Sequence, residues 1–341
     1  MSGHRYRTSF EVADYDLAAT LGSGQAFRWD EIRESGPREE AAVHGAKRSD
    51  STKLGVGIGS MRRGRSVDAW DGVVAARWVR VRSVDSGRRL EAETVVDPGD
   101  WAWLRGYLGV DEALGPVLAS FPSDAPMTAA VEACRGLRLL RQEPWECLAS
   151  FLLSSTKQIP QIREGVRQIC ARFGEVVEGP EGEGRVHAFP APRVLARAGE
   201  RELRECRIGF RARYLKETAE RVASGEPNLD EMGRLTLAEA RARLVTLPGV
   251  GPKIADCVLL FGFGFRRAFP VDVWVMRALR ELYFRGRRPS LDRLREFSAT
   301  HFGSNAGYAQ QYLFHHIRMR AGRVPWQGAG TNEEGEGDDG H

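Results

Sequence analysis

The sequence predicts an α+β fold in which an N-terminal antiparallel β-sheet domain precedes a mostly α-helical body. Residues 73–84 alternate apolar and basic residues over their second half, and residues 89–96 follow an Asp-Ser-Gly turn. This pattern is typical of an antiparallel hairpin with one face in water. From about Met127 the apolar residues recur at helical spacing, as in 159–173, where they stand at i, i+4, i+7 and i+11.

Changes in composition along the chain predict its domain boundaries. We expect a sheet domain over 1–126, a helical domain over 127–326 and a disordered acidic tail over 327–341. Residues 33–66 are rich in Gly, Ser and Arg and almost free of aromatic residues, so we interpret them as a flexible insertion. The alternative is that the insertion is a basic arm whose arginines contact phosphate.

Overall composition limits the classes of function. The 341 residues carry a formal net charge of +4, which is only mild support for a polyanionic partner. No run of about 18 apolar residues predicts a transmembrane helix, and the polar residues 1–10 lack the apolar region of a signal peptide. Five scattered cysteines without a CxxC pair indicate a reducing compartment and argue against a zinc ribbon or an iron–sulfur cluster.

The most informative stretch runs over residues 244–280. In it, Gly249 and Gly251 form a tight turn that exposes backbone N–H groups, and Pro252 occupies the first turn of the following helix. Exposed amides at a helix N-terminus can bind phosphate. Further on, Asp272 stands directly before an apolar helix, where an aspartate is suited to be the N-cap.

The whole stretch closely resembles the helix–hairpin–helix element, followed by a Gly/Pro-rich loop and an aspartate, of a superfamily of base-excision DNA glycosylases. The resemblance implies that Asp272 is the catalytic carboxylate and that Gly249, Val250 and Gly251 contact DNA. It also implies that Lys253, one of only five lysines in the chain, marks a glycosylase with lyase activity. The alternative is a non-catalytic helix–hairpin–helix DNA clamp with an ordinary surface lysine.

Four further segments resemble one branch of this superfamily, the 8-oxoguanine DNA glycosylases. They follow the order of that family, and the resemblance covers nearly the whole chain apart from the insertion and the tail. The segments are LGSGQAFRW at 21–29, ECLASFLLSSTKQI at 146–159, IGFRARY at 208–214 and GYAQQYLF at 307–314.

The resemblance implies a pocket for a base flipped out of the duplex. Cys257 and Phe314 would stack on the two faces of the oxidised guanine, and Gln310 would contact its Watson–Crick edge. The carbonyl of Gly24 would accept the N7–H that 8-oxoguanine carries and guanine lacks. An ordinary buried thiol at Cys257 and a core-only role for Phe314 remain the alternatives. Lys253 would attack C1′, expel the base and leave a Schiff base that permits β-elimination.

The sequence departs from the family pattern where the opposite base is read. Where that pattern has asparagines, this chain has Thr156, Lys157 and Gln158. Gln161 replaces an arginine, Phe210 a tyrosine and Trp274 a histidine. Arg211 is retained, so it can still contact the opposite base. These departures predict weaker selectivity for cytosine. Lys157 is a rival nucleophile by residue type, and a phosphate contact is its simpler interpretation.

The resemblance also predicts the partners and cofactors. We expect a cytoplasmic monomer, associated with the nucleoid if the source is bacterial, that binds double-stranded DNA with an oxidised purine and no membrane. It should need no cofactor, although backbone carbonyls of the hairpin could hold a monovalent cation. An alkylpurine glycosylase of the same superfamily is the main alternative. Adenine and thymine-glycol glycosylases usually carry a four-cysteine iron–sulfur loop, and no cysteine follows Cys257.

Overall fold

The computed structural model describes residues 4–32, 69–182, 184–287 and 289–322. Within these residues a five-stranded sheet is followed by a helical body, as the sequence predicts. The predicted insertion at 33–66 and the predicted tail at 327–341 lie outside the described residues. None of the described helices is long and apolar enough to cross a bilayer.

The sheet is antiparallel throughout and has the strand order β1-β5-β4-β3-β2. One face is apolar and buried. The other carries a row of directly opposed charges, Arg7–Glu93–Arg80–Asp71, in which Arg80 Nε lies 2.6 Å from Asp71 Oδ1. Cross-strand pairs of opposite charge stabilise such a face. The strands are β1 Tyr6–Glu11, β2 Trp29–Ile32, β3 Ala69–Val74, β4 Arg77–Val84 and β5 Arg89–Thr94.

The single run expected over 73–84 is in fact the end of β3, a two-residue turn and β4. Ala75 and Ala76 form the turn with φ angles of 48° and 58°. Positive φ at both central residues defines the type I′ turn, which normally carries Asn or Gly. Because two alanines give no such signal, the sequence pattern alone does not reveal this turn.

The helical body is built from short helices. The sequence pattern predicts helices over 252–261, 273–282 and 306–320, and the structure has helices with these bounds. A small two-stranded sheet, β6 Val176–Val177 and β7 Val186–His187, follows α6. The described helices are α1 Leu17–Gly22, α2 Ala102–Leu108, α3 Leu114–Ala119, α4 Ala125–Ala133, α5 Pro144–Leu152, α6 Ile159–Phe173, α7 Pro192–Arg197, α8 Glu200–Leu203, α9 Arg211–Ala223, α10 Leu237–Leu244, α11 Pro252–Phe261, α12 Val273–Leu282, α13 Leu291–His301 and α14 Ala306–Arg320.

A close helix contact and a pair of buried hydrogen bonds bring the elements of the site together. At Gly307, a Cβ would lie 2.4 Å from the Ala268 carbonyl oxygen and 2.5 Å from Leu260 Cδ1, so only glycine lets α14 pack this tightly near α11. At the N-terminal side, the buried Gln25 amide donates to the carbonyls of Thr20 and Arg138, both at 2.8 Å. These bonds fix the turn at 22–24 to the segment that leads into α5.

Candidate active site

Lys253 lies in the first turn of α11 and is half-buried. Its Nζ donates a 3.0 Å hydrogen bond to Ser154 Oγ, just beyond the end of α5. The Ser154 hydroxyl in turn donates to the Phe151 carbonyl at 2.6 Å. Nζ also lies 5.3 Å from the centroid of the Phe151 ring, a distance at which a cation is attracted to the ring. The amine is therefore held by one hydroxyl and one aromatic face.

Asp272 is the N-cap of α12, as the sequence predicts. Its Oδ1 accepts hydrogen bonds from the backbone N–H groups of Trp274 at 2.9 Å and Val275 at 2.8 Å. Burial raises the pKa of this carboxyl above its ordinary value, while the two N–H groups, Lys253 and Arg318 act to lower it. The carboxylate is thus fixed in direction, and it lies within electrostatic range of Lys253.

Cys257 stands one helical turn after Lys253 and is buried. Burial raises the pKa of its thiol to about 12, Lys253 acts to lower this pKa, and Asp272 acts to raise it. The three side chains are therefore neighbours. With so high a pKa the thiol stays protonated at neutral pH, so it offers an apolar, polarisable surface rather than a nucleophile.

Gln310 and Phe314 share one face of α14, one helical turn apart. Gln310 is 4% exposed, and its Oε1 has no hydrogen-bond partner among the described residues. An unsatisfied buried acceptor costs free energy of about 1–3 kcal/mol, which a ligand that supplies a donor can recover. Phe314 is half-buried. A purine edge facing Gln310 would supply such a donor.

Gly24 lies in the turn after α1, in the N-terminal part of the chain. Its φ of +87° favours glycine, and a Cβ there would lie 2.5 Å from the end of the Ile159 side chain, which would have to shift. The same Cβ position lies 3.6 Å from Arg318 Nη1, and the Arg318 guanidinium stands over the Phe314 ring. Gly24 and Phe314 therefore both lie next to Arg318.

The hairpin and the start of α9 form an adjoining exposed surface. Phe210 is 56% exposed, and its ring packs edge-on against Tyr214 at a centroid distance of 6.2 Å. Gly249, with φ +76°, packs against the Tyr214 ring, where a Cβ would come within 2.9 Å. The Val250 side chain is buried and its N–H donates to the Leu247 carbonyl, while the predicted contact of this motif with DNA stays a prediction. Val250 packs the hairpin and does not face solvent.

Comparisons with known proteins agree with this geometry. Residues 149–300 match the model described as "HhH-GPD superfamily base excision DNA repair protein", and residues 64–148 match "8-oxoguanine DNA glycosylase, N-terminal domain". A "Probable N-glycosylase/DNA lyase" of Methanothermobacter thermautotrophicus is 33% identical over 219 residues, 58% of this chain and 69% of that protein. The chain belongs to the HhH-GPD superfamily, in its 8-oxoguanine DNA glycosylase branch.

A yeast relative and a solved structure extend the similarity. The "N-glycosylase/DNA lyase" of Saccharomyces cerevisiae is 32% identical over 275 residues, which are 69% of this chain and 72% of that protein. The 8-oxoguanine glycosylase/lyase of Clostridium acetobutylicum, solved with double-stranded DNA that contains cytosine opposite 8-oxoguanine, has a TM-score of 0.75 and 28% identity. The match covers 92% of this chain and 98% of that one. The likeness therefore includes both the sheet and the helical body.

Thr156, Lys157, Gln158 and Gln161, which depart from the HhH-GPD glycosylase pattern, make contacts within the protein. Arg211 is buried, and its Nη2 donates to Thr156 Oγ1 at 2.6 Å. The Gln161 Oε1 accepts the Gln158 N–H at 3.1 Å and so caps α6. Lys157 Nζ donates to the Arg207 carbonyl at 2.5 Å. The amine of Lys157 is thus bonded to a backbone carbonyl, whereas Lys253 is one of the charges that act on Asp272.

Sequence reasoning missed two residues of this site, Ser154 and Arg318. Ser154 is the first serine of the SSTKQI segment, and only the folded arrangement of α5 and α11 shows that it contacts Lys253. Arg318 continues the spacing of Gln310 and Phe314 by one more helical turn. Extending that i, i+4 series to i+8 would have found it.

The raised pKa of Asp272 predicts a cost in stability. Because the folded protein holds this proton to a higher pH than the unfolded chain does, the associated stability is present below the unfolded pKa and is lost as the pH rises through the raised value. An uncharged asparagine still caps a helix well. We therefore expect the free energy of unfolding of Asp272→Asn, relative to that of the wild type, to be higher at pH 8 than at pH 4 in urea unfolding. An equal difference at both pH values would contradict this.

Proposed function

We propose that this chain is a bifunctional DNA glycosylase and lyase that excises 8-oxoguanine from duplex DNA. The observation that carries the proposal is that the Lys253 amine acts electrostatically on the fixed Asp272 carboxylate. Gln310 on α14, buried and with an unsatisfied acceptor, supports it. A non-catalytic DNA clamp has no use for a buried carboxylate whose ionisation is opposed by burial. An alkylpurine glycosylase has no use for a lysine at this position.

The reaction begins when the damaged nucleotide leaves the base stack. The neutral Lys253 Nζ then attacks C1′, and the C1′–N9 bond breaks with its electron pair going to the departing base. The base gains a proton, and the nitrogen of Lys253 loses one. The nitrogen lone pair then expels O4′ from C1′, and O4′ takes up a proton. The opened sugar is held as a protonated Schiff base, which acidifies the C2′ proton. Loss of that proton expels the 3′ phosphate by β-elimination and cuts the strand.

Asp272 serves this reaction as a fixed negative charge. Its Oδ1 is engaged by two backbone N–H groups, which hold the carboxylate in one orientation at the start of α12. A carboxylate held in this way stabilises the positive charge that develops on the sugar in the transition state, and no reorganisation is needed at that moment. It can also exchange a proton with Lys253.

Recognition of the base would rest on groups from three elements. Cys257 and Phe314 supply stacking surfaces, Gln310 supplies an amide to the Watson–Crick edge, and the Gly24 carbonyl accepts the N7–H. One neutral hydrogen bond contributes about 1 kcal/mol, and guanine at this site would instead place a lone pair against a carbonyl. The monomeric state, the cytoplasmic location and the hairpin cation remain predictions.

Borohydride trapping tests the proposal, since reduction of the Schiff base leaves a covalent protein–DNA adduct. We expect an adduct with 8-oxoguanine duplexes in the wild type and in Lys157→Gln, and none in Lys253→Gln. The matched lysine variant controls for loss of a positive charge. An adduct that survives Lys253→Gln would contradict the assigned nucleophile. Adducts only with alkylpurine duplexes would contradict the assigned substrate.

Ser154→Ala tests whether the hydroxyl that holds Nζ serves catalysis. Without this contact the amine samples more orientations, and we expect the single-turnover trapping rate to fall about tenfold. Binding to a duplex with an abasic analogue should stay unchanged. Ser155→Ala is the matched control, because no polar contact of Ser155 is seen among the described residues. A wild-type trapping rate in Ser154→Ala would show that this bond does not position the amine.

We further propose that selectivity for the opposite base is weak. In this protein Arg211 is tied to Thr156, and Gln161 caps a helix. Because a good bidentate contact to a base contributes about 1–3 kcal/mol of discrimination, its loss removes most of a strong preference. We expect single-turnover rates opposite cytosine and adenine to lie within about tenfold of each other. A cytosine preference of more than about a hundredfold would contradict this.

A further inference from the structure

Arg318 links two parts of the proposed base pocket that are far apart in sequence. On α14 it stands one turn beyond Phe314, and its Cζ lies 5.2 Å from the centroid of that ring. Its Nη1 donates to the Ser23 carbonyl at 3.4 Å. One planar guanidinium therefore touches both the stacking ring and the turn that presents Gly24. Stacking on a ring while donating to an oxygen is characteristic of arginine.

The bond to Ser23 bears on which carbonyl can meet the base. Ser23 and Gly24 are consecutive, and the carbonyl of Ser23 is engaged by Arg318. No hydrogen bond to the Gly24 carbonyl is seen among the described residues. The φ of +87° at Gly24 turns the chain here, so the two carbonyls have different environments. A fixed turn leaves the Gly24 oxygen as the acceptor for an N7–H.

We propose that Arg318 is a positioning residue that sets the preference for 8-oxoguanine over guanine by holding the Ser23–Gly24 turn at a fixed distance from Phe314. The proposal rests on the proposed function. Hydrogen-bond energy depends steeply on distance and angle. The Gly24 carbonyl can discriminate N7–H from a lone pair only if the stacked base and the carbonyl are held in register, and Arg318 contacts both of the elements that hold them.

Binding measurements in a Lys253→Gln background test this role without turnover. The probes are duplexes that carry 8-oxoguanine, guanine or a tetrahydrofuran abasic analogue at one position. We expect Arg318→Met, which keeps an apolar contact with Phe314, to lower the ratio of 8-oxoguanine to guanine affinity about fivefold. Affinity for the tetrahydrofuran duplex, which has no base to position, should stay unchanged. Arg318→Lys should give an intermediate ratio.

Arg320→Met is the matched control, since Arg320 is exposed on the same helix, and it should leave all three affinities unchanged. An unchanged ratio in Arg318→Met would overturn the proposal. A parallel loss of affinity for all three duplexes would show a structural role and also overturn it. Tighter binding of both bases would show that the guanidinium itself occupies the base pocket, and this would also contradict the proposal. If the Lys253→Gln parent itself shows no preference for 8-oxoguanine, the proposed function fails and the role of Arg318 fails with it.

Discussion

A buried carboxylate at the N-terminus of α12 is the constraint on which the rest of the site depends. Burial raises the pKa of Asp272 and so favours the protonated acid, which cannot stabilise a cationic sugar. Two backbone N–H groups and the charges of Lys253 and Arg318 act in the opposite direction. The protein thus keeps an ionisable acid in a poorly solvated place, where an ionised carboxylate interacts most strongly with developing positive charge.

The proposed site combines groups from the sheet domain and from the helical body. Helices α11, α12 and α14 carry the proposed amine, acid and stacking ring, but the Gly24 carbonyl comes from the turn after α1. Gln25 fixes this turn to the segment before α5, and Arg28 Nη1 pairs with Glu146 Oε2 at 3.1 Å on that helix. The sheet domain is therefore held to the helical body by buried polar contacts beside the pocket, where a small displacement would change base recognition.

The sequence was sufficient to predict elements whose signals are local. The bounds of α11, α12 and α14 follow from apolar spacing, from Pro252 and from the N-cap at Asp272. It was insufficient where the cause is tertiary. The Ala75–Ala76 turn carries no turn residues, the burial of Val250 depends on how the hairpin packs, and the Ser154–Lys253 bond joins residues 99 positions apart. Motifs therefore predict the candidate reacting groups, while the contacts that support these groups are visible only in the fold.

The surroundings of the lysines show why Lys253 is suited to leave its resting contact. Most of the 50 basic residues are arginines, whose guanidinium stays protonated and cannot form a Schiff base. Among the described lysines, Lys157 and Lys216 donate to backbone carbonyls at 2.5 and 2.6 Å. Lys253 instead donates at 3.0 Å to a serine hydroxyl that is already satisfied through the Phe151 carbonyl. When the proposed nucleophile Lys253 leaves this contact, the serine hydroxyl keeps its bond to the Phe151 carbonyl, whereas departure of Lys157 or Lys216 would take a donor from a backbone carbonyl.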